Sequence, residues 1–168
     1  MQLFLVYLGG TAPGANIELH DIRFVAGARI EDTYAQLRKQ WFGTPAGLHI
    51  DSYLRVTDID GYAVSLQNSA PEHTQKLFFI NYGGYYPGKI AEQHDFMLCV
   101  AGSVQEAKAK AKQLLLTDAD SQHKDDVLEL DNCFAVEQLQ GFYVHLTASG
   151  KSQAMRPDWS GYNVIATE

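Results

Sequence analysis

The sequence predicts an α+β protein made by internal duplication of a β-β-α-β-β unit, with largely antiparallel sheets, two helices and an approximate twofold axis between the halves. Three observations lead to this prediction. The motif Glu18-Leu-His20-Asp21 recurs as Glu92-Gln-His94-Asp95, 74 residues further along the chain. Each motif follows an apolar run that ends in two glycines, and each precedes a stretch with helical periodicity. Each helical stretch is followed by residues that alternate between apolar and polar, as strands do.

The first three elements of the first half are two strands and a helix. Residues 3–8 form a short apolar run that stops at Gly9-Gly10, which favours a buried strand over a helix. A second strand is expected from His20 to Gly27. One apolar face at helical spacing then predicts a helix over about residues 30–42, and it consists of Ile30, Tyr34, Leu37 and Trp41.

The first half closes with two more strands. Residues 49–56 alternate, and the alternation puts Ile50, Leu54 and Val56 on one side of the strand. Asp60-Gly61 is typical of a tight hairpin turn and leads into a strand over residues 62–66.

The second half repeats this order. Strands are expected over residues 77–82 and 94–100, and Ser103-Val-Gln-Glu106 is a capping-box sequence that begins a helix over 104–116. The inner face of that helix is predicted to contain Val104, Ala107, Ala111 and Leu114. Residues 127–139 hold one or two strands, and 141–146 mirrors 61–66, so this half is about six residues longer. The constant spacing also pairs His49-Ile-Asp51 with His123-Lys-Asp125.

These patterns define one compact unit with four parts. Residues 1–66 form the first repeat, 67–76 a polar linker, 77–147 the second repeat and 148–168 a C-terminal tail. The tail is expected to dock on the body or on a partner subunit, because Trp159 and Tyr162 are too apolar for a free end. Ser149-Gly-Lys-Ser152 is flexible by composition.

Composition limits the classes of partner. The formal charge is −7 with no run of Lys or Arg, so a nucleic-acid partner is not expected. The chain has no segment of membrane-spanning length and no signal-peptide pattern, so a cytoplasmic location without a membrane partner is expected. The two cysteines form no CxxC motif. Cys99 is predicted to be a buried free thiol that forms no bridge with Cys133.

The repeated polar motif is the candidate site. In an extended chain, residues two apart project to the same side, so Glu18 and His20 project together, as His49 and Asp51 do. Imidazoles and carboxylates are ligands for divalent metals and also serve in acid–base chemistry. The residues do not specify a cofactor, and a divalent metal is one that they would suit. The candidate ligand-binding residues are Glu18, His20, Asp21, His49, Asp51, Glu92, His94, Asp95, His123 and Asp125.

Three functions fit these residues. The first is a small-molecule or metal-binding module that uses the duplicated clusters. The alternative is a structural or interaction protein, a homodimer in which these side chains only brace the fold through hydrogen bonds. The third is an acid–base or metal-dependent hydrolase. HExxH is absent, and the paired glycines lack the GxGxxG spacing and the following helix of a phosphate-binding loop.

Several segments resemble a known family. They are the opening Leu3-Phe-Leu-Val-Tyr-Leu-Gly-Gly10, the stretch Ala12-Pro-Gly-Ala-Asn-Ile-Glu-Leu-His-Asp21, and Trp41-Phe-Gly43 with His49-Ile-Asp-Ser-Tyr53. Together they are similar to a small bacterial family catalogued as domain of unknown function 1543. The resemblance covers most of the first half and, through the duplication, much of the second. It implies a bacterial cytoplasmic protein with two tandem copies, and it implies no activity or catalytic residue.

Overall fold

The computed structural model describes residues 1–84, 88–114 and 129–166. The first half contains β1 (Gln2–Gly10), β2 (Leu19–Gly27), a 3-10 turn (Ile30–Thr33), α1 (Tyr34–Gln40), β3 (His49–Val56), β4 (Asp58–Ile59) and β5 (Tyr62–Gln67). The second half contains β6 (Lys76–Gly84), β7 (Gln93–Ala101), α2 (Val104–Leu114), β8 (Glu129–Ala135), β9 (Gln138–Leu139) and β10 (Phe142–Ala148). The tail adds β11 (Trp159–Val164). The predicted α+β class and the repeated order of elements are confirmed.

The strands form three antiparallel sheets. In the first half the order is β11-β3-β1-β2, and in the second it is β7-β6-β8, so β1 and β6 are both central. The third sheet, β4-β5-β10-β9, takes two strands from each half. In it Val64 pairs with Leu146, and Leu66 pairs with Val144. Residue 64 corresponds to residue 144, and residue 66 to residue 146, so exchanging the two halves turns one pair into the other. An approximate twofold axis therefore passes through the pair between them, which is Ser65 and His145.

The hydrophobic residues form three layers. Alternate residues of β1, such as Leu3 and Leu5, face a core to which both halves contribute. The intervening residues, such as Phe4 and Val6, pack under α1. A smaller cluster packs under α2 in the second half. Each half is thus a sheet with one helix on its outer face, and the inner faces are buried against each other.

The helices differ from their predictions at the ends. The first turn over Ile30–Thr33 is 3-10, and α1 ends at Gln40 because Trp41 is extended, with φ −66° and ψ 130°. In α2 the side chain of Val104 is 37% exposed, so its placement on the inner face was wrong. Ala107 and Ala111 are fully buried, as predicted. None of the described helices is long and apolar enough to cross a membrane.

The two hairpins that join the third sheet use the same turn. Asp60 and Gly61 have φ of 48° and 86°, and Gln140 and Gly141 have φ of 53° and 88°. Positive φ at both central residues defines a type I′ turn, whose twist matches that of the flanking strands. The hairpin turn predicted at Asp60-Gly61 is therefore present, and glycine at its second position tolerates the positive φ.

The alternation expected in β3 is broken by a bulge. Ser52 pairs with Tyr7 and Ile50 pairs with Leu8, so Asp51 has no partner in β1. One extra residue in a strand reverses the side-chain alternation beyond it. Ile50 consequently packs under α1 while Leu54 faces the shared core, and the prediction that they share a side was wrong.

The described part of the tail lies against the first half. Residues 149–152, expected to be flexible, and Gln153 run beside the first hairpin. There Gly61 N–H donates to Lys151 O at 2.9 Å, and Gln153 Oε1 accepts from Thr57 N–H at 2.6 Å. Further on, β11 pairs with β3, and Ile165 is buried under α1. Backbone hydrogen bonds, which composition does not reveal, hold this segment.

Candidate functional site

Four of the predicted side chains meet at one end of the first sheet, over Gly9. His20 of β2 and His49 of β3 are the cross-strand partners of Gly9 on its two sides. A methyl group at Gly9 would collide with the His49 ring and with Asp51 Oδ2. Glycine at this position is therefore what allows the His and carboxylate side chains to close over the strand.

The distances describe two imidazoles joined by two carboxylates. His49 Nε2 lies 3.1 Å from Glu18 Oε1 and 3.2 Å from Asp51 Oδ1. His20 Nε2 lies 3.4 Å from Asp51 Oδ2 and 3.6 Å from Glu18 Oε2. His49 and Asp51 are two residues apart in β3, so their side chains project to the same face, as predicted.

His49 is the most constrained member of this cluster. Its side chain is 1% exposed, and Nδ1 lies 2.7 Å from the carbonyl oxygen of Gly47. Because a carbonyl only accepts, Nδ1 carries the proton, and in a neutral ring Nε2 then presents a lone pair. His49 Nε2 and Asp51 Oδ2 are both buried and make no hydrogen bond. A lone pair that faces two carboxylates is repelled unless positive charge lies between them.

Two tyrosine rings form walls beside the imidazoles. The Tyr7 ring stacks on His20, with centroids 5.2 Å apart and planes 6° from parallel. Burial, and then the charges of Asp51 and Asp21, raise the pKa of Tyr7, so its hydroxyl stays protonated. The Tyr162 ring covers His49 at 4.0 Å. The sequence did not indicate Tyr162 as part of the site, because the tail has no counterpart in the first half that would show which part of the fold it reaches.

The aspartate next to the histidine in each copy of the motif has another role. Asp21 pairs with Arg23 at 2.5 Å and accepts a hydrogen bond from Ile22 N–H at 2.8 Å. In the second half, Asp95 accepts from Phe96 N–H at 2.9 Å. Asp21 therefore stays outside the cluster because adjacent residues of a strand point to opposite faces.

The second copy is related to the first differently from the prediction. Glu92 and His94 lie 3.9 Å apart, whereas His123 and Asp125 fall outside the described residues. The pairing of β6 with β8 puts position 129 opposite Gly83, as His49 is opposite Gly9. The equivalent of His49 is therefore Glu129, and matching it to His123 was wrong. The six extra residues of the second half precede β8 and do not follow it.

The cluster does not form a metal site as its side chains stand. Among residues 1–84, 88–114 and 129–166, no group of three or more His, Cys, Asp or Glu side chains is placed so that it could hold a metal ion. The side chains of Glu18 and His20 are 46% and 36% exposed.

Comparisons with known proteins give a family and a related structure. The crystal structure of a protein Il1583 from Idiomarina loihiensis is 41% identical to this chain, with a TM-score of 0.78 over 98% of this chain and 97% of that one. No match was found among curated proteins. The family described as Domain of Unknown Function (DUF1543) matches residues 15–66 and 89–146, which are the two repeats. The chain therefore belongs to the DUF1543 family, with two tandem copies of the domain, as its motifs indicated.

Proposed function

We propose that the chain binds a divalent transition-metal ion through His49, Asp51 and Glu18, with His20 as a fourth ligand. The observation that carries this proposal is the buried Nε2 of His49, which makes no hydrogen bond and faces two carboxylates. A cation between these atoms would convert the repulsion into coordination. Neutral imidazole and carboxylate ligands suit ions such as Zn²⁺.

The spacing of the donor atoms supports this proposal. Ligands about 2.0–2.2 Å from one ion are about 2.8–3.1 Å apart at neighbouring octahedral positions and about 3.3–3.6 Å apart in tetrahedral geometry. The four nitrogen-to-oxygen distances in the cluster run from 3.1 to 3.6 Å. The hydrogen bond from His49 Nδ1–H to the Gly47 carbonyl is also the outer contact that orients metal-binding histidines.

Binding would then have a rigid part and an adjustable part. His49 is held by its hydrogen bond to Gly47 and by burial, and Asp51 Oδ2 is buried beside it. Glu18 and His20 would turn by side-chain rotation to complete the coordination, which costs little at an exposed site. Because imidazoles must be neutral to bind, acidification should release the metal.

The alternative function is a structural brace, in which a proton on His49 Nε2 supplies the positive charge. The two ion-pair distances of His49 favour it. Against it, Nε2 is not aligned with either carboxylate for a hydrogen bond, so the proton would be shared poorly between them. If the cluster binds metal, removing the His49 imidazole should weaken metal binding. If the cluster is a brace, removing it should lower stability in a protein that binds no metal.

Calorimetric titration of chelator-treated protein with Zn²⁺ tests the proposal. We expect saturable binding that His49→Ala and Asp51→Asn each weaken by at least about tenfold, which is about 1.4 kcal/mol. Gly9→Ala keeps every ligand but puts a methyl group into the cluster, so it should weaken binding similarly. His94→Ala, the counterpart of His20→Ala in the other repeat, is the matched control and should leave this site intact.

Thermal unfolding of the same variants separates the two functions. A parent protein that binds no Zn²⁺, Mn²⁺ or Ni²⁺, together with a clear loss of stability in His49→Ala, would establish the brace and reject the metal site. Metal binding that survives both His49→Ala and Asp51→Asn would also reject the proposed ligands.

A further inference from the structure

We infer that the chain has a second ligand site, away from the metal cluster, that takes a small molecule with an apolar body and no net charge. The site is a cavity of about 440 Å³ between the linker, the start of β6, residues 136–138 and strand β10. Its volume lies in the range of small-molecule pockets, about 300–1,000 Å³. None of the residues that line it belongs to the His and carboxylate cluster.

The floor of the cavity is made of residues that the fold itself needs. They are aliphatic, buried, and part of the core shared by the two halves. Both repeats carry the same residue type at each of these positions. The equivalent residues are Leu77 and Leu3, Val136 and Val56, Val144 and Val64, and Leu146 and Leu66. The floor therefore explains why the cavity is apolar, and it is not by itself evidence for a ligand.

The rim of the cavity differs between the repeats. At each rim position the two repeats carry different residue types. The rim residues of the second repeat and their equivalents in the first are Lys76 and Gln2, Glu137 and Thr57, Gln138 and Asp58, and Tyr143 and Ala63. Because the first repeat folds with other residues at these positions, the fold does not require the rim. A polar rim over an apolar floor is the usual composition of a small-molecule site.

The wall supplied by the linker is held in place by hydrogen bonds. His73 Nε2 accepts from Leu146 N–H at 2.9 Å, so its proton is on Nδ1, which donates to Gln75 O at 2.8 Å. His145 Nε2 lies 2.7 Å from Ser69 O. Both contacts tie the linker to the second repeat, so the cavity exists before a ligand enters and little ordering entropy opposes binding.

The charges at the rim indicate which ligands fit. Lys76 Nζ and Glu137 Oε1 form an ion pair at 2.8 Å, so the two charges offset each other and attract neither an anion nor a cation in net. Tyr143 and Gln138 offer hydrogen-bonding groups beside the aliphatic floor. An uncharged molecule with one polar end would pack its apolar part against the aliphatic floor and hydrogen-bond at the rim through its polar end.

Fluorescence titration with the uncharged dye Nile red tests this site. We expect saturable binding to the full chain that Val144→Trp weakens by at least about tenfold, because the indole fills the cavity. Val164→Trp alters a position of β11 that is 52% exposed and does not line the cavity, so this size-matched control should bind as the parent does. The anionic dye anilinonaphthalene sulfonate should bind more weakly than Nile red.

A second pair of variants keeps the test decisive if Val144→Trp fails to fold. Tyr143→Ala makes the rim like the first repeat and should weaken Nile red binding severalfold, whereas Ala63→Tyr should not strengthen it. Equal dye affinity in the parent, Val144→Trp and Tyr143→Ala would overturn the inference. Tighter binding of the anionic dye would overturn the assignment of an uncharged ligand.

Discussion

At the scale of single residues, the two repeats keep the same backbone positions but carry different side chains. His49 corresponds to Glu129 and Tyr7 to Asn81 in the pairing of the central strands. The tail that brings Tyr162 to His49 has no counterpart in the other repeat. We therefore expect only the first repeat to combine two imidazoles with two carboxylates and aromatic walls.

The cysteines provide a prediction about single residues. Cys99 is fully buried, and burial followed by the charge of Asp60 raises its pKa to about 12, so almost no thiolate forms at neutral pH. Cys133 is partly exposed. In native Cys133→Ser protein we expect a thiol reagent to leave Cys99 unmodified, by mass spectrometry, until denaturant is added.

The control for the thiol experiment is Cys99→Ser, in which Cys133 should react in the native state. Burial also raises the pKa of Cys133. The reaction of Cys133 should therefore accelerate as the pH rises above about 8.5, the ordinary pKa of a cysteine thiol. Rapid modification of Cys99 in folded protein would contradict its burial.

At the scale of elements, the two helices pack on their sheets with different side chains. Leu37 of α1 and its counterpart Ala111 of α2 are both fully buried. The first helix therefore fills its interface with a large side chain, whereas the second does so with small ones, and backbones approach more closely where side chains are small.

Substitution at these two positions should measure the difference. Leu37→Ala should cost about 2–5 kcal/mol of unfolding free energy because it leaves a cavity. Ala111→Leu should cost about 1–3 kcal/mol, although it copies the other repeat, because it overpacks a filled interface. Lys39→Ala, on the exposed face of α1, is the control for chemical denaturation and should change stability by less than about 0.5 kcal/mol. A negligible loss in Leu37→Ala would show that this face is not core.

At the scale of the whole molecule, the repeats depend on each other. Leu3, Leu5 and Phe24 of one half share a core with Leu77 and Phe79 of the other. Strands β5 and β10 join the halves in one sheet. Separating the repeats would expose this core and leave both strands at an edge, so neither repeat should be stable alone.

Fragments 1–67 and 68–168 test this dependence. We expect each fragment alone to lack a cooperative thermal transition by circular dichroism, and an equimolar mixture to regain one. The intact chain is the control. A monomeric fragment that unfolds cooperatively by itself would contradict the shared core.

Much of the fold could be predicted from sequence because its causes are local. Apolar runs ended by glycine, helical periodicity and the Asp60-Gly61 turn each act within a few residues, and the duplication provides a second example of each. The alternation rule failed between Ile50 and Leu54, because a bulge at Asp51 reverses the alternation of β3 beyond it. Prediction from local composition also failed at residues 149–152, where hydrogen bonds to a distant hairpin hold a polar segment.

The sequence alone determined the fold class, the repeat, the family and the membership of Glu18, His20, His49 and Asp51 in a candidate site. Tertiary structure decided that these four meet over Gly9, that Asp21 does not join them and that Tyr162 does. It also decided that Glu129, and not His123, stands where His49 does. The physical reason is that spacing along a chain specifies side-chain direction only within one regular element. Bulges, insertions and contacts between distant segments are set by packing and backbone pairing in three dimensions.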